Sequence, residues 1–352
     1  MSHDRNHKPG QRVISTWLYL EGVTESGTYP QVPGKSSSQR FHNIYKKCLV
    51  TFFHSARAAN PTALLYLFCN VDFSVSGKKI DQRLTAIFSK LEVEIIIVPY
   101  TYKPPKKQKL WRNQFYVLNI LEELLKRVDG SDTCIILDSD VIWTGLKSTN
   151  DMWNKLKIEG SLTMLPITNH SEIINGYSLK ELNSLADLLI GSTHLQINYA
   201  GGELIGLRGD ILRLVVAKSQ QTWENYVKLL GKSEIKYIEE AHFLSIIYRD
   251  LGIEFGLGDE YVRRIWTQVF HYNNRLDIDS RLACWHLPAE KRFGIRRIAN
   301  QFLKNPSLTW PSHDSKEWLA IQSSLGVIKT TQTKAILDIT FLLFDRIIRR
   351  IT

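Results

Sequence analysis

The chain has 352 residues, 43% of them hydrophobic and 23% charged, with a formal net charge of +10. That composition excludes a disordered or low-complexity chain, because the apolar content is enough to build a core. The length accommodates about one to three domains, and the positive balance suits nucleic acid, an anionic membrane surface or a phosphorylated small substrate without choosing among them.

The four cysteines, Cys48, Cys69, Cys134 and Cys284, form no CxxC pair, which argues against a zinc knuckle. Cys69 and Cys134 lie in apolar runs, where a free thiol behaves as a small hydrophobe, so a reducing compartment is expected. The polar start MSHDRNHKPGQR lacks the apolar segment of a signal peptide, and no apolar run approaches the ~20 residues that span a bilayer. A cytoplasmic location is therefore expected.

In chain order, residues 13–20 (VISTWLYL) read as a first strand and 24–38, rich in Gly, Pro, Ser and Thr, as a loop. Phe41, Ile44, Tyr45 and Cys48 recur at helical spacing within 40–57. The continuous apolar runs 63–70 (ALLYLFCN) and 93–100 (VEIIIVPY) suit strands buried on both faces, with a helix over 78–90 between them. A basic loop at 102–109, kept non-helical by Pro104 and Pro105, leads into an amphipathic helix over 111–128. Residues 132–143 (DTCIILDSDVIW) read as another buried strand. Beyond it the pattern predicts helices over 178–190, 213–230 and 238–251, and a strand, Gly turn and strand over 195–212. A short strand is predicted at 281–286, and a final amphipathic helix over 335–351. Alternation of strands and helices through residue 143 implies a doubly wound α/β sheet, in which ligands bind beyond the carboxyl ends of the strands.

Asp138, Ser139 and Asp140 fall at such an end. A diphosphate concentrates negative charge, a hard divalent cation neutralises it, and hard cations take oxygen ligands. Two carboxylates spaced i, i+2 both reach one ion where a strand's alternation breaks into a turn. A DxD triplet alone is weak, but here it is flanked by Ile135, Ile136 and Leu137 and by Val141, Ile142 and Trp143. Two acids in that setting are costly without a partner charge.

The segment ILDSDVIW resembles the DxD motif of the GT-A class of nucleotide-sugar glycosyltransferases, and the order of elements is similar over roughly residues 13–293. The resemblance implies an α/β fold of GT-A type, a Rossmann-like mixed sheet flanked by helices. It implies a nucleotide-binding half at about 12–145, an acceptor half at about 146–300, and a C-terminal helical extension over 301–352. It also implies transfer of a sugar from a nucleotide-diphosphate donor, with UDP-sugars favoured, to a glycan or lipid-linked acceptor. The cofactor would be Mn²⁺ or Mg²⁺, held by Asp138 and Asp140, with Asp140 the more direct ligand. Asp138 and Ser139 would also meet the nucleotide.

Further roles rest on the same resemblance. His286 in LACWHLPAEKR is the candidate third metal ligand, or a structural histidine, and Lys291 and Arg292 after it are candidates for the diphosphate. Ala289 and Arg292 stand where the familiar His-x-x-Gly-x-x-Lys pattern has its glycine and lysine. In NYAGGELIG, Gly201, Gly202 and Glu203 are expected to line the donor sugar, with an exposed hairpin turn as the alternative. Glu239 and Glu240 open a helix and are candidates, with Glu203, for the catalytic carboxylate, although a helix dipole by itself favours acids there. Arg112 and Asn113 are candidates for phosphate and for base or ribose, or for a surface role; they follow Trp111 and precede Gln114 at the same helix start. Thr16 to Tyr19 are expected to offer a surface to the base.

The tail combines apolar positions at helical spacing with Arg346, Arg349 and Arg350, which suits either an anionic membrane surface or packing on its own domain. Three other readings compete with this one. A haloacid-dehalogenase-like phosphohydrolase would use Asp138 as nucleophile and Gly258-Asp259 as its later motif, whose second Asp is missing. A nucleotidyltransferase would need a Gly-rich phosphate loop that 22–35 does not form. A non-catalytic carbohydrate- or nucleic-acid-binding protein would use the basic surface, but Pro104 and Pro105 interrupt the best stretch, so no nucleic acid is expected.

Overall fold

The computed structural model describes residues 9–25, 28–29, 32–73, 75–105, 108, 112–165, 172–191, 195–232, 235–269 and 273–351. Trp111 and parts of the basic loop at 102–109 lie outside the described residues.

Apolar runs with period 2 build the centre. Strands β1 (Arg12–Leu18), β4 (Leu64–Cys69), β5 (Val93–Ile97) and β6 (Thr133–Leu137) are parallel, in the order β5-β4-β1-β6. Two short strands, β2 (Thr28–Tyr29) and β3 (Val32–Lys35), pair with each other inside the segment expected to be a loop. Strand β7 (Val141–Trp143) follows β6, and β8 (Ser161–Met164) and β9 (Gly201–Arg208) complete the large sheet as an antiparallel edge, β6-β9-β8. The sheet is therefore mixed rather than wholly parallel. A second sheet has the order β10-β11-β7, with β10 at Val262–Arg264 and β11 at Cys284–His286.

Alternation along each central strand feeds two cores. Ile14, Leu65, Leu67, Ile135 and Leu137 face one of them. Val13, Tyr66, Phe68, Cys134 and Ile136 face the other. The first core is covered by α1 (Gln39–Ala59), α2 (Lys79–Lys90) and α4 (Lys147–Glu159), and by α8 (Gly294–Lys304) and α9 (Lys316–Leu325). The second is covered by α3 (Tyr116–Leu125), α5 (Leu179–Ile190), α6 (Gly209–Gly231) and α7 (Glu240–Asp250). Helix α10 (Gln332–Ile351) ends the chain. The α/β class, with a Rossmann-like mixed sheet flanked by helices and helices after it, is the class expected.

Two elements differ from expectation. The span 132–143 is not one strand: it breaks at Asp138–Asp140, and β7 leaves the large sheet to pair with β11. The span 195–212 is not a hairpin: Gly201 and Gly202 begin the single strand β9, which runs unbroken to Arg208. Gly201 pairs with Met164 of β8, across an irregularity in register, where local sequence suggested a turn. All four cysteines are buried and free. Among the described residues, no helix is long and apolar enough to cross a membrane.

Strand order fixes where a ligand can sit. From β1 the sheet grows through β4 to β5, and the chain then crosses to the other side of β1 to lay down β6. The crevice at such a reversal opens beyond the carboxyl ends of the two strands involved. Here those ends are Trp17–Leu20 and Asp138–Asp140.

Candidate active site

A cavity of about 540 Å³ occupies this crevice, and its lining includes Tyr19, Asn113, Asp138, Asp140, Glu240 and Lys291. The break between β6 and β7 aims both aspartates into it. Val141 N donates to Asp138 O at 3.1 Å, closing a turn over Ser139, while Asp138 N meets Glu203 O of β9 at 3.3 Å. The second sheet then delivers the remaining groups: His286 pairs in register with Val141, and Arg264 with His286. Leu287 N donates to Asp140 O at 3.1 Å, locking β11 to the acidic turn.

The result is a compact charged cluster. His286 Nε2 lies 3.2 Å from Asp140 Oδ2 and 3.5 Å from Asp138 Oδ2, and Lys291 Nζ lies 3.0 Å from Asp140 Oδ2. Asp140 and His286 are buried, whereas Asp138 is about one-third exposed. Burial pushes the Asp138 carboxyl above its ordinary range, and the charge of Asp140 adds to this against His286, Lys291 and Arg264. For Asp140 burial also acts upward, but Lys291 and His286 outweigh it and hold this carboxyl well below its ordinary range.

The donor set fits a divalent cation. One oxygen from each aspartate and a ring nitrogen of His286 lie within 4.8 Å of one another. Cis ligands around Mg²⁺ or Mn²⁺, at ~2.1 Å from the ion, stand about 3 Å apart, close to the separations seen. Asp140 Oδ2 and both ring nitrogens of His286 are buried without a hydrogen bond of good geometry, although each approaches charged groups. Two carboxylates with one imidazole suit Mn²⁺ and similar ions.

The basic residues after His286 are placed by a 3-10 turn, Pro288–Arg292. Side chains at i and i+3 eclipse in such a turn. Pro288 and Lys291 thus share one side and both line the cavity, while Arg292, one step on, does not. The cation beside the acidic turn is therefore the residue before the position where the familiar pattern places it.

Glu203 lines the cavity but is almost fully buried and forms an ion pair with Arg264. Its Oε1 lies 3.9 Å from His286 Nδ1, so it faces the side of the ring away from the aspartates. It is not the exposed tip of a hairpin. Gly202 lines the cavity and Gly201 does not. A Cβ on Gly202 would lie 2.8 Å from Glu240 Oε1, so the absent side chain admits Glu240 itself.

The two acids at the start of α7 are in different states. Glu239 caps the helix and accepts hydrogen bonds from Tyr199 Oη and from Asn175 Nδ2, the latter at 2.6 Å. Glu240 keeps Oε2 buried without a hydrogen-bond partner. Burial, then the Glu239 charge, pushes its carboxyl well above the ordinary range. Asn113 Oδ1 and Gln114 Oε1 are buried acceptors without partners, and both residues line the cavity together with Trp17 and Tyr19. Arg112 lies outside the lining and donates to Pro104 O at 3.2 Å. Thr16 is buried in β1 and Ser139 lines the cavity.

Sequence reasoning missed Arg264, because nothing in the run Val262–Arg264 marks it locally and only pairing with β11 brings it to the cluster. It also missed Tyr45, whose helix-spaced position signals only core; its ring faces the Lys291 ammonium at 5.3 Å.

No protein-family model matches the chain, and no curated protein matches it. Among solved structures, it is similar to the galactosyltransferase LgtC in complex with donor and acceptor sugar analogs. That likeness has 12% identity over 88% of this chain and 99% of that one, and a TM-score of 0.46. An active-site mutant of LgtC gives 12% identity over the same shares and a TM-score of 0.47. The bifunctional glycosyltransferase WbbM in its apo structure gives 9% identity over 80% of this chain and 46% of that chain, with a TM-score of 0.47.

Proposed function

We propose that this chain is a metal-dependent glycosyltransferase that takes its sugar from a nucleotide-diphosphate donor, with UDP-sugars favoured. The observation that carries the reading is the convergence of Asp138, Asp140, His286 and Lys291 at the crevice where the strand order reverses. When bound, a divalent cation would neutralise the diphosphate and act as a Lewis acid toward the departing nucleoside diphosphate. Asp138, Asp140 and His286 would hold it. Lys291 supplies a second positive charge to the phosphates from the adjacent 3-10 turn.

The rest of the lining divides along the cavity. Trp17, Tyr19, Asn113 and Gln114 give the base an aromatic face and unpaired acceptors for its N–H groups. Gly202 and Glu240 face the sugar. Glu240 and Glu203 each keep a buried oxygen without a hydrogen-bond partner in the cavity. Glu203 is engaged by Arg264, and Glu239 is engaged as a helix cap. The phosphohydrolase alternative loses its later acidic motif, since Asp259 is outside the lining and accepts from Leu165 N at 2.9 Å.

The acceptor in this reading is a glycan or a lipid-linked glycan. Ile336, Ile339 and Leu343 are exposed at helical spacing on α10, on a helix that also carries Arg346, Arg349 and Arg350. Such a helix suits peripheral contact with an anionic membrane surface on the cytoplasmic side, with no nucleic-acid partner.

The test is calorimetric titration of UDP and UDP-sugars in the presence of Mn²⁺ and of chelator. Binding should require the metal, and Asp140→Ala should weaken it by at least about tenfold, as loss of a direct ligand demands. A folded Asp140→Ala protein that binds and turns over the best donor as the parent does would remove the metal assignment.

A further inference from the structure

The first turns of α10 carry a buried charge cluster that touches the rear of the 3-10 turn at 288–292. Lys334 Nζ lies 2.8 Å from Glu290 Oε1 and 2.7 Å from Asp338 Oδ1, and all three side chains are at most 3% exposed. Glu290 Oε1 also accepts from Thr267 Oγ1, and Oε2 accepts from Gly294 N at 3.0 Å, at the start of α8. The Lys334 ammonium sits over the Phe293 ring at 5.5 Å, and Val269 N approaches Asp338 Oδ2 at 3.4 Å.

These contacts grip both segments that furnish the cation side of the cavity. Glu290 is the immediate neighbour of Lys291 on a turn with three residues per revolution, so the two side chains point to different sides of one short rigid piece. Glu290 faces the tail helix and Lys291 faces Asp140. Thr267 closes the segment that begins with Arg264 and includes Trp266, which lines the cavity. Ile265 N, between those two, donates to His286 O at 2.8 Å. Without the Lys334 ammonium, Glu290 and Asp338 would lose the counter-charge they share, a change that a dry interior punishes by rearrangement.

We infer that Lys334 is a positioning residue for Lys291: acting through Glu290, the tail helix sets the 3-10 turn at the angle that presents Lys291 to the diphosphate. This rests on the reading of the cavity as a nucleotide-diphosphate site. It gives α10 a role in donor binding that is separate from any surface its outer face contacts.

The experiment compares the full-length parent with Lys334→Met by two measurements: calorimetric affinity for UDP at saturating Mn²⁺, and affinity for Mn²⁺ alone by electron paramagnetic resonance. Lys334→Met should weaken UDP about tenfold and leave Mn²⁺ alone within about twofold, because Asp138, Asp140 and His286 are held chiefly by the turn between β6 and β7 and by the β7–β11 pairing. Where Lys334→Met does not fold, Thr267→Val, which removes the other side-chain partner of Glu290, should produce the same split. Loss of both affinities in parallel would indicate general loosening and overturn the inference, as would unchanged UDP binding by either folded variant. A parent that binds Mn²⁺ but no UDP would overturn the reading of the cavity, and the inference with it.

Discussion

At the scale of single residues, the cavity is short of positive charge. Asp138, Asp140, Glu203, Glu239 and Glu240 line it against Lys291, Arg264 and His286. Such arrangements trade stability for readiness to bind a cationic ligand. Glu240 bears part of that cost, held well above the ordinary glutamate range by burial and by Glu239. A raised folded-state value means that the native chain keeps a proton which the unfolded chain has already released. Stability therefore falls as pH rises from about 4.3 upward. In chelator, Glu240→Gln should raise Tm at pH 8 by at least about 2 °C and leave it nearly unchanged at pH 4. A Tm that drops at pH 8, or rises equally at both, would contradict this account. The acidic pair was legible because two aspartates cannot sit inside ILDSDVIW without a charge partner. Arg264 was not legible, because its role comes from an edge-to-edge pairing between strands twenty residues apart in the chain. Lys291 and Arg292 were both named, yet only the pitch of the 3-10 turn separates the one that lines the cavity from the one that does not.

At the scale of elements, the helices after residue 300 continue the main core. The boundary expected there falls inside α8 (Gly294–Lys304). Phe302, Trp318, Ile321, Leu325 and Val327 belong to the same core as Ile14 and Leu67. Trp318 on α9 is 1% exposed and stacks on Trp285 with ring centroids 5.5 Å apart. Trp285 precedes His286 on β11, so the stack braces the strand that presents the candidate metal ligand. Trp318→Ala should cost about 3–5 kcal/mol in denaturant unfolding. A loss below about 1 kcal/mol would show α9 to be an appendage that the core does not need. The long runs were easy to read as strands, since a parallel strand covered on both faces must be apolar throughout. The segments 132–143 and 195–212 misled for one reason: period and turn residues describe local preference, and sheet pairing overrode it at both places.

At the scale of the whole molecule, the +10 charge has a defined use only if it is concentrated. On α10 the buried Lys334 and Asp338 face inward, while exposed Ile336, Ile339 and Leu343 lie on the outer side of a helix whose last turns carry Arg346, Arg349 and Arg350. Replacing those three arginines with glutamine should weaken sedimentation with anionic vesicles by about two orders of magnitude, at roughly 1 kcal/mol per arginine. It should change nothing with neutral vesicles, and equal binding to both compositions by the parent would refute an electrostatic surface contact. Composition and pattern by themselves determined the α/β class, the buried central strands and the acidic turn, because each is dictated by neighbours within a dozen residues. Tertiary structure alone decided that Arg264 joins His286 and Lys291 beside the aspartates, and that Glu239 accepts from Tyr199 and Asn175 while Glu240 keeps one oxygen without a partner. Those outcomes depend on strand order and crossing connections, which bring together residues from tens to more than a hundred positions apart and leave no periodic trace in the chain.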